Sequence, residues 1–343
     1  MLQRLRQGPG QDLGEERRRL ETLERACPDT PDGRFLARTC RGYQKAAALL
    51  EAIGTPYLTE RSIALYGQPT DPLLPFAPTN LEGARHFLQA CEELDVAESP
   101  QDLSAEEGQA WMASRVDVPV ILAEDLASQA AAGAKRIRLR SNARFSALQL
   151  RQLLAHEYEV HTLTKQNGQA QALKSLGRSS PRTTETQEGL ATFAELITDT
   201  LDVRRLRRIA LRVVAVQAAL DGAEEPEVAR VFAEGGQNLD ESRLSAARIF
   251  RGGGVFTKDV VYVRGLLRVN AFFIAAVRER RPELVHQLFA GRMTLQDALE
   301  LDLAPPKRLP DWARRLETLG AYLAWSGFNA RLPLVRLSLD QFR

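Results

Sequence analysis

Apolar residues in the first hundred positions recur at the spacing of a helix. Residues 13–26 place leucines among charged side chains, and residues 34–53 form an apolar stripe that ends at Gly54. Both stretches are typical of amphipathic helices, and a similar pattern resumes over residues 80–94. Residues 67–78 contain four prolines, each of which lacks a backbone donor, so we expect an irregular connector there.

The pattern changes near residue 116. Residues 118–122 favour a strand, and residues 135–140 alternate basic and apolar side chains with period two, which is typical of a half-buried strand. Helical patterns return after this stretch. The sequence therefore predicts a predominantly helical α+β fold with a small sheet, in which residues 1–115 form an N-terminal helical layer and residues 116–343 form a second domain.

Two capping boxes predict where helices of the second domain begin. Ser146 can cap a helix start, with Gln149 three residues later to complete the box. That helix should end near Asn167 and Gly168, a pair that favours a left-handed stop. A second box at residues 184–187 predicts another helix start, close to the acidic residues discussed below.

Composition and charge exclude some classes of protein. The chain of 343 residues is 44% hydrophobic and 26% charged, which is typical of a folded protein and not of a disordered tail. Its 46 basic and 44 acidic groups leave a formal charge of +2, so electrostatics does not draw the whole chain to nucleic acid or to a membrane surface. Arginines at 204, 205, 207 and 208 are interleaved with apolar residues, which favours an amphipathic helix over a nucleic-acid site.

The cysteines and the N-terminal residues indicate the cellular compartment of the protein. Cys27, Cys40 and Cys91 are odd in number, and their spacing fits neither a zinc ribbon nor a disulfide framework. Residues 1–6 are polar and lack the apolar run of a secretion signal. No uninterrupted apolar run reaches the roughly 18 residues of a membrane span. We therefore expect a soluble, cytoplasmic protein.

Two of the four histidines lie in one short phrase, in which His156 is followed by Glu157 and, four residues further on, by His161. Imidazole is a common neutral ligand of zinc, and a carboxylate next to the first ligand can accept a proton from metal-activated water. Residues five apart are out of phase by about 140° on a regular helix. The two imidazoles can meet one metal only if the helix is distorted, so we predict a π-bulge or a loosened turn between them.

A catalytic zinc site needs a third protein ligand, and two histidines with one glutamate is an established set. Glu188 can supply it, because it lies in the first turns of the second boxed helix. Glu185 and Glu195 are competing candidates, as ligands or as groups that orient a ligand, since Glu195 lies two turns from Glu188 on nearly the same face.

Three phrases of the sequence carry a resemblance to a known family: His156-Glu157-Tyr158-Glu159-Val160-His161, Asn167-Gly168-Gln169 and Gln187-Glu188-Gly189-Leu190-Ala191. They resemble the bacterial QEGLA-motif proteins, which are similar to the eukaryotic microtubule-associated tyrosine carboxypeptidases. The resemblance covers most of the chain from Arg34 onward and is most specific between Ala134 and Asp199.

The resemblance implies a zinc metallopeptidase with a zincin-like core in residues 116–343. His156, His161 and Glu188 would be the zinc ligands, and Glu157 would be the general base. The eukaryotic relatives trim a C-terminal tyrosine from tubulin. We accordingly expect a carboxypeptidase that removes a C-terminal residue from a peptide or protein tail, and the identity of that substrate stays open.

Further site residues are predicted from the chemistry of a carboxypeptidase. Residues 251–265 combine a glycine run with cations and a phenol, and they resemble a phrase of the same family. Tyr262 is the candidate for stabilising the oxyanion. Lys258, Arg264 and Arg251, in that order, are candidates for binding the terminal carboxylate of the substrate.

The strand predicted at residues 135–140 precedes the histidine phrase directly. Metallopeptidases often bind an extended substrate along such a sheet edge. Arg140 and Asn142 are therefore predicted to line the substrate cleft.

Two alternative functions remain open. A zinc-dependent amidohydrolase would keep the metal but act on a small amide. A non-catalytic regulatory binding protein would hold zinc structurally or not at all. Zinc is favoured over iron or nickel by the ligand set, and the sequence does not indicate an oligomeric state.

Overall fold

The computed structural model describes residues 12–75, 77–92, 94, 99–126, 128–315 and 338–342. Its described residues form two compact units. The first draws on Met1–Leu94, Ser180–Glu185 and Val203–Arg268, and the second draws on Asp95–Ser179, Thr186–Asp202 and Val269–Arg343. The sequence predicts one boundary, after residue 115, whereas the chain returns to the first unit twice. Long-range packing decides this interleaving, and no change of composition marks it.

The described helices and strands confirm a predominantly helical chain with a small sheet. The α-helices are α1 (Gly14–Ala26), α2 (Pro31–Glu51), α3 (Leu58–Tyr66), α4 (Asn80–Glu92), α5 (Ala105–Ala113), α6 (Ala147–Leu153), α7 (Leu163–Ala170), α8 (Thr184–Ile197), α9 (Val203–Leu220), α10 (Glu225–Glu234), α11 (Leu239–Ile249), α12 (Val261–Arg278), α13 (Glu283–Gln287), α14 (Leu295–Glu300) and α15 (Asp311–Arg314). Short 3₁₀ turns occupy Lys174–Gly177, Pro181–Thr183, Thr257–Val260 and Leu339–Phe342, and a π-helix occupies Leu154–Thr162.

In the first unit, the start of α2 and the irregular connector agree with the local sequence signals. Thr30 caps α2 by accepting a hydrogen bond from the Gly33 N–H, and Pro31 occupies the first helical position, where its missing donor costs nothing. Phe35, Ala46 and Ala47 on α2 are buried, as the apolar stripe predicts, whereas Leu50 is only partly buried and its neighbour Leu49 is fully buried. The described residues of the proline-rich connector are irregular apart from an isolated bridge between Pro72 and Thr79.

The arginine-rich stretch lies on α9, which is amphipathic as predicted. Ile209, Val213 and Val216 are fully buried in the first unit, where α9 packs against α4. Arg207 donates a hydrogen bond of 2.6 Å to the carbonyl of Cys91 on α4. At least one arginine of the cluster therefore ties two helices together.

The second unit contains the sheet, with strands β1 (Val120–Ala123), β2 (Ala130–Ala132) and β3 (Ile137–Arg140) in the order β1-β3-β2. β1 pairs parallel with β3, and β2 pairs antiparallel with it. Ile137 and Leu139 are fully buried, whereas Arg138 and Arg140 are half-buried, which confirms the predicted alternation. The buried face packs into a core that includes Phe145 and Met112.

One described helix, Thr257–Arg278, is long and apolar enough to cross a membrane by length and composition. Its most apolar stretch is 89% buried in the protein. The core helix of a globular protein has the same properties, so this helix is weak support for a membrane span.

Candidate metal centre

A π-helix brings the two histidines of the phrase together. The Ser146 and Gln149 box forms as predicted and starts α6, which continues into the π-helix Leu154–Thr162 and then into α7. The rings of His156 and His161 lie 4.8 Å apart between centroids and are almost perpendicular, at 87°. The predicted distortion is confirmed, because a wider helical turn lets residues five apart share one face.

Glu188 joins the histidines from the second turn of α8. Its Oε2 lies 3.5 Å from His156 Nε2 and 3.8 Å from His161 Nε2. One possible ligand atom from each of the three residues lies within 4.8 Å of the other two. The neighbouring Gln187 is held by Thr164 of α7, whose hydroxyl lies 2.9 Å from Gln187 Oε1. That contact ties α7 to α8 at the residue next to Glu188.

The three donors suit a divalent metal. A tetrahedral zinc with bonds of about 2.0–2.1 Å to nitrogen and oxygen requires its ligand atoms to be about 3.4 Å apart. The two separations from Glu188, 3.5 and 3.8 Å, differ from this value by a few tenths of an ångström, and all three ligand atoms lie within 4.8 Å of one another, so the histidine rings would have to approach each other to hold the ion. Two imidazoles and a carboxylate are also the donor set that this ion accepts in catalytic sites.

Glu195 orients one of the histidines. His156 Nδ1 lies 2.6 Å from Glu195 Oε1, and this carboxylate is fully buried. With Nδ1–H donating to the carboxylate, Nε2 of His156 is directed at Glu188, an arrangement common behind metal-bound histidines. Burial opposes the charged imidazole, but the hydrogen bonds to Glu188 and Glu195 outweigh it and raise the pKa of His156.

Arg292 supports the second histidine and was not indicated by the sequence. Its Nη2 donates to the carbonyl of His161 at 3.1 Å, and its Nη1 donates to the hydroxyl of Ser179 at 2.7 Å. Burial lowers the pKa of Arg292, while the carboxylates of Glu188 and Glu157 partly offset the effect. A cation therefore lies beside the carboxylates of the cluster. It is 131 residues from His161 in the chain, so no local pattern could have identified it.

Glu157 is half-buried on the π-helix, and its charge acts on both His156 and Arg292. The other glutamate of the phrase, Glu159, has a different environment, because its Oε2 accepts a hydrogen bond of 3.1 Å from the indole of Trp312. The charge of Glu157 therefore contributes to the field at the candidate metal centre.

Glu185, a competing candidate for the third ligand, forms ion pairs with two arginines. Within the first unit its two carboxylate oxygens bind Arg264 at 2.5 Å and Arg268 at 2.6 Å. Burial opposes ionisation, but these two cations lower the pKa of Glu185. The guanidinium of Arg264 also binds Asp71 and the carbonyl of Tyr66. Arg264 is buried among these partners, and its predicted role toward the terminal carboxylate of the substrate stays a prediction.

The other candidates from residues 251–265 also belong to the first unit. The ring of Tyr262 lies under the guanidinium of Arg212, and its hydroxyl contacts Arg248. Arg251 packs on Phe256, and Lys258 lies near enough to Asp259 to lower its pKa. The predicted roles of Tyr262, Lys258 and Arg251 toward a substrate stay predictions.

Arg140 and Asn142 belong to the second unit, with the metal cluster. Arg140 ends β3, and its buried Nε has no hydrogen-bond partner among the described residues. Asn142 is exposed in the turn that follows. Their predicted part in a substrate cleft likewise stays a prediction.

Comparison with known proteins gives the family. The sequence model of the microtubule-associated tyrosine carboxypeptidase family matches residues 6–331, and the chain belongs to this family. No curated protein was found to match the chain. The resemblance drawn from the histidine and Gln-Glu-Gly-Leu-Ala phrases is thereby confirmed. Membership supports the expected class of enzyme, a carboxypeptidase-like hydrolase.

Proposed function

We propose that this protein is a zinc-dependent carboxypeptidase, with a zincin-like core, that removes a C-terminal residue from a peptide or protein tail. The observation that carries the proposal is the convergence of His156, His161 and Glu188, whose possible ligand atoms lie within 4.8 Å of one another. The family's description as a carboxypeptidase supports the reaction. Two histidines and one glutamate leave a fourth position of a tetrahedral ion for water, as catalysis requires.

Each residue of the candidate metal centre has a separate role in the proposed hydrolysis. Zinc, when bound, lowers the pKa of water and polarises the carbonyl to be attacked. Glu157 accepts the proton from the attacking water and returns it to the leaving amine. Glu195 keeps the His156 ring in one orientation, and Arg292 fixes the carbonyl of His161 and thereby the π-turn. The positive charge of Arg292 also offsets the repulsion between Glu157 and Glu188.

The substrate proposed first is a chain that ends in tyrosine, because the family description names a tyrosine carboxypeptidase associated with microtubules. A tubulin-like tail is one such chain. A free terminal carboxylate distinguishes this substrate from the small amide of the alternative amidohydrolase.

The decisive experiment combines metal analysis with peptide mass spectrometry. Zinc-loaded protein is incubated with a peptide library, which includes peptides ending in tyrosine and their C-terminal amides, and masses are recorded over time. We expect loss of one C-terminal residue from the free acids and none from the amides. Glu157→Gln should keep its zinc, measured by elemental analysis, and lose at least 100-fold in rate.

Glu124→Gln is the matched control, since Glu124 is exposed in the same unit and the substitution makes the same change of charge. It should cleave at the wild-type rate. Internal cuts would contradict exopeptidase action, and cleavage of capped small amides alone would favour the amidohydrolase. Wild-type protein that binds one zinc without changing any peptide would favour the regulatory binding protein.

A further inference from the structure

A buried cluster of charges lies in the first unit, remote in sequence from the histidine phrase. Asp259 is at its centre and is only 3% exposed. Arg248 binds this carboxylate with two parallel hydrogen bonds of 2.6 Å, from Nε and from Nη2. Such a bidentate pair is the strongest arrangement available to a carboxylate and a guanidinium, so Arg248 already satisfies Asp259.

Arg212 of α9 lies beside this pair without a hydrogen bond to it. Its Nε is 3.9 Å from Asp259 Oδ2, which is too far for a hydrogen bond. Its guanidinium carbon lies 5.3 Å from the centre of the Tyr262 ring. Among the described residues, none accepts a hydrogen bond from Arg212, although only 16% of its side chain is exposed.

This situation is costly for an arginine. Arginine is seldom buried without an anion, and among the described residues the nearest anion to Arg212 is the carboxylate of Asp259 at 3.9 Å; its guanidinium nitrogens keep contact with solvent, since none is among the fully buried atoms that lack a hydrogen-bond partner. Burial lowers the pKa of Arg212 to about 10, and Arg248 adds to the effect while Asp259 opposes it. Arg205 and Lys258 also act on the cluster as positive charges. Asp259 is therefore shared between Arg248, which binds it directly, and Arg212, which lies 3.9 Å away.

We propose that Arg212 is an oxyanion-binding residue, which receives a carboxylate or a phosphate group in the first unit. The planar fork of its guanidinium matches either group with two parallel hydrogen bonds. The Tyr262 ring, 5.3 Å from the guanidinium carbon, is within the range of a cation–π interaction. The bidentate bond of Arg248 to Asp259 keeps that carboxylate from turning to Arg212. The proposal uses no residue of the metal centre, so it does not depend on the proposed peptidase activity.

The stability of variants gives the first test. Arg212→Met removes a desolvated charge, together with its attraction to Asp259 and its repulsion by Arg248, and it leaves the bidentate pair of Asp259 in place. We expect this variant to unfold at the wild-type temperature or above it, in anion-free buffer. A residue that merely held the fold together would show the opposite, a clear drop in the unfolding temperature, and that drop would overturn the proposal.

Binding is then measured by calorimetry and by thermal shift on the full chain, in the presence of EDTA. The probes are inorganic phosphate, N-acetyltyrosine and, as a neutral analogue, N-acetyltyrosine amide. We expect phosphate, N-acetyltyrosine or both to bind and to raise the unfolding temperature of the wild type, and the amide to do neither. Arg212→Met should weaken that binding at least tenfold, and Arg212→Lys should weaken it in part, because lysine keeps the charge and loses the fork.

Arg230→Met is the control, since Arg230 is 70% exposed on α10 and the substitution removes the same charge. It should bind the probes as the wild type does. A response to phosphate alone identifies a phosphate group as the ligand, and a response to N-acetyltyrosine alone identifies a carboxylate. Equal affinity in wild type and Arg212→Met would overturn the proposal, as would the absence of any response in the wild type. Binding that appears only when EDTA is omitted would place the anion at a metal and would also overturn the proposal.

Discussion

Glu195→Gln tests the metal centre most directly, because it changes one charge behind a proposed ligand and little else. The carboxylate is fully buried and lies 2.6 Å from His156 Nδ1, and it is seven residues along α8 from Glu188. Glutamine has the same shape and can still accept the hydrogen bond through its amide oxygen. The substitution therefore removes the negative charge that makes the imidazole a stronger donor to the metal, and it keeps the ring in place.

The expected magnitude follows from the position of the group. Removal of a partner behind a metal-bound histidine typically weakens metal binding by about 10–100-fold, which corresponds to about 1.4–2.8 kcal/mol. Glu195→Gln should lie near the lower limit, since the geometry is kept. Glu195→Ala should lie near the upper limit, because the ring also loses its orientation and a buried donor is left without a partner.

Zinc affinity is measured by competition with a chromophoric chelator at pH 7, and folding is checked by urea unfolding of the metal-free variants. Glu124→Gln, which makes the same change of charge at an exposed position, should leave the affinity unchanged. Wild-type zinc affinity in both Glu195 variants would refute the reasoning, since it would mean that His156 does not hold the metal or that Glu195 does not act through it.

Three further predictions concern the stability of the two units. Arg292→Met should destabilise the metal-free protein by about 1.5–3 kcal/mol in urea unfolding, because the carbonyl of His161 loses a charged donor, and Arg292→Lys should recover part of the loss. The pKa of Asp259 is held well below its usual range, because the effect of burial is outweighed by that of Arg248. The ionised carboxylate therefore stabilises the folded protein above the unfolded pKa of about 3.9, and this contribution is lost as the pH falls below that value. In urea unfolding from pH 6 to pH 3, the free energy of unfolding should decline less in Asp259→Asn than in the wild type. Phe145→Ala should cost about 3–5 kcal/mol by the same measurement, since the ring is fully buried in the core beside the sheet, and a loss below 1 kcal/mol would contradict that packing.

The sequence by itself determined the features that depend on neighbouring residues. The capping box of Ser146 predicted the start of α6, and alternation predicted the half-buried strand β3. The spacing of His156 and His161 predicted the distorted helix, because two rings on one segment can share a metal only if that segment changes its pitch. These inferences needed no knowledge of how distant segments pack.

Tertiary structure decided the rest. The sequence favoured Glu188 but left Glu185 and Glu195 open, since all three lie on one helix. Packing settled their environments: Glu185 binds arginine 79 residues away, and Glu195 reaches His156 across 39 residues. Arg292 and the interleaved units were equally beyond local patterns. Local preferences fix where a helix begins and how it bends, whereas the partner of a buried charge is fixed only when separate segments are brought together.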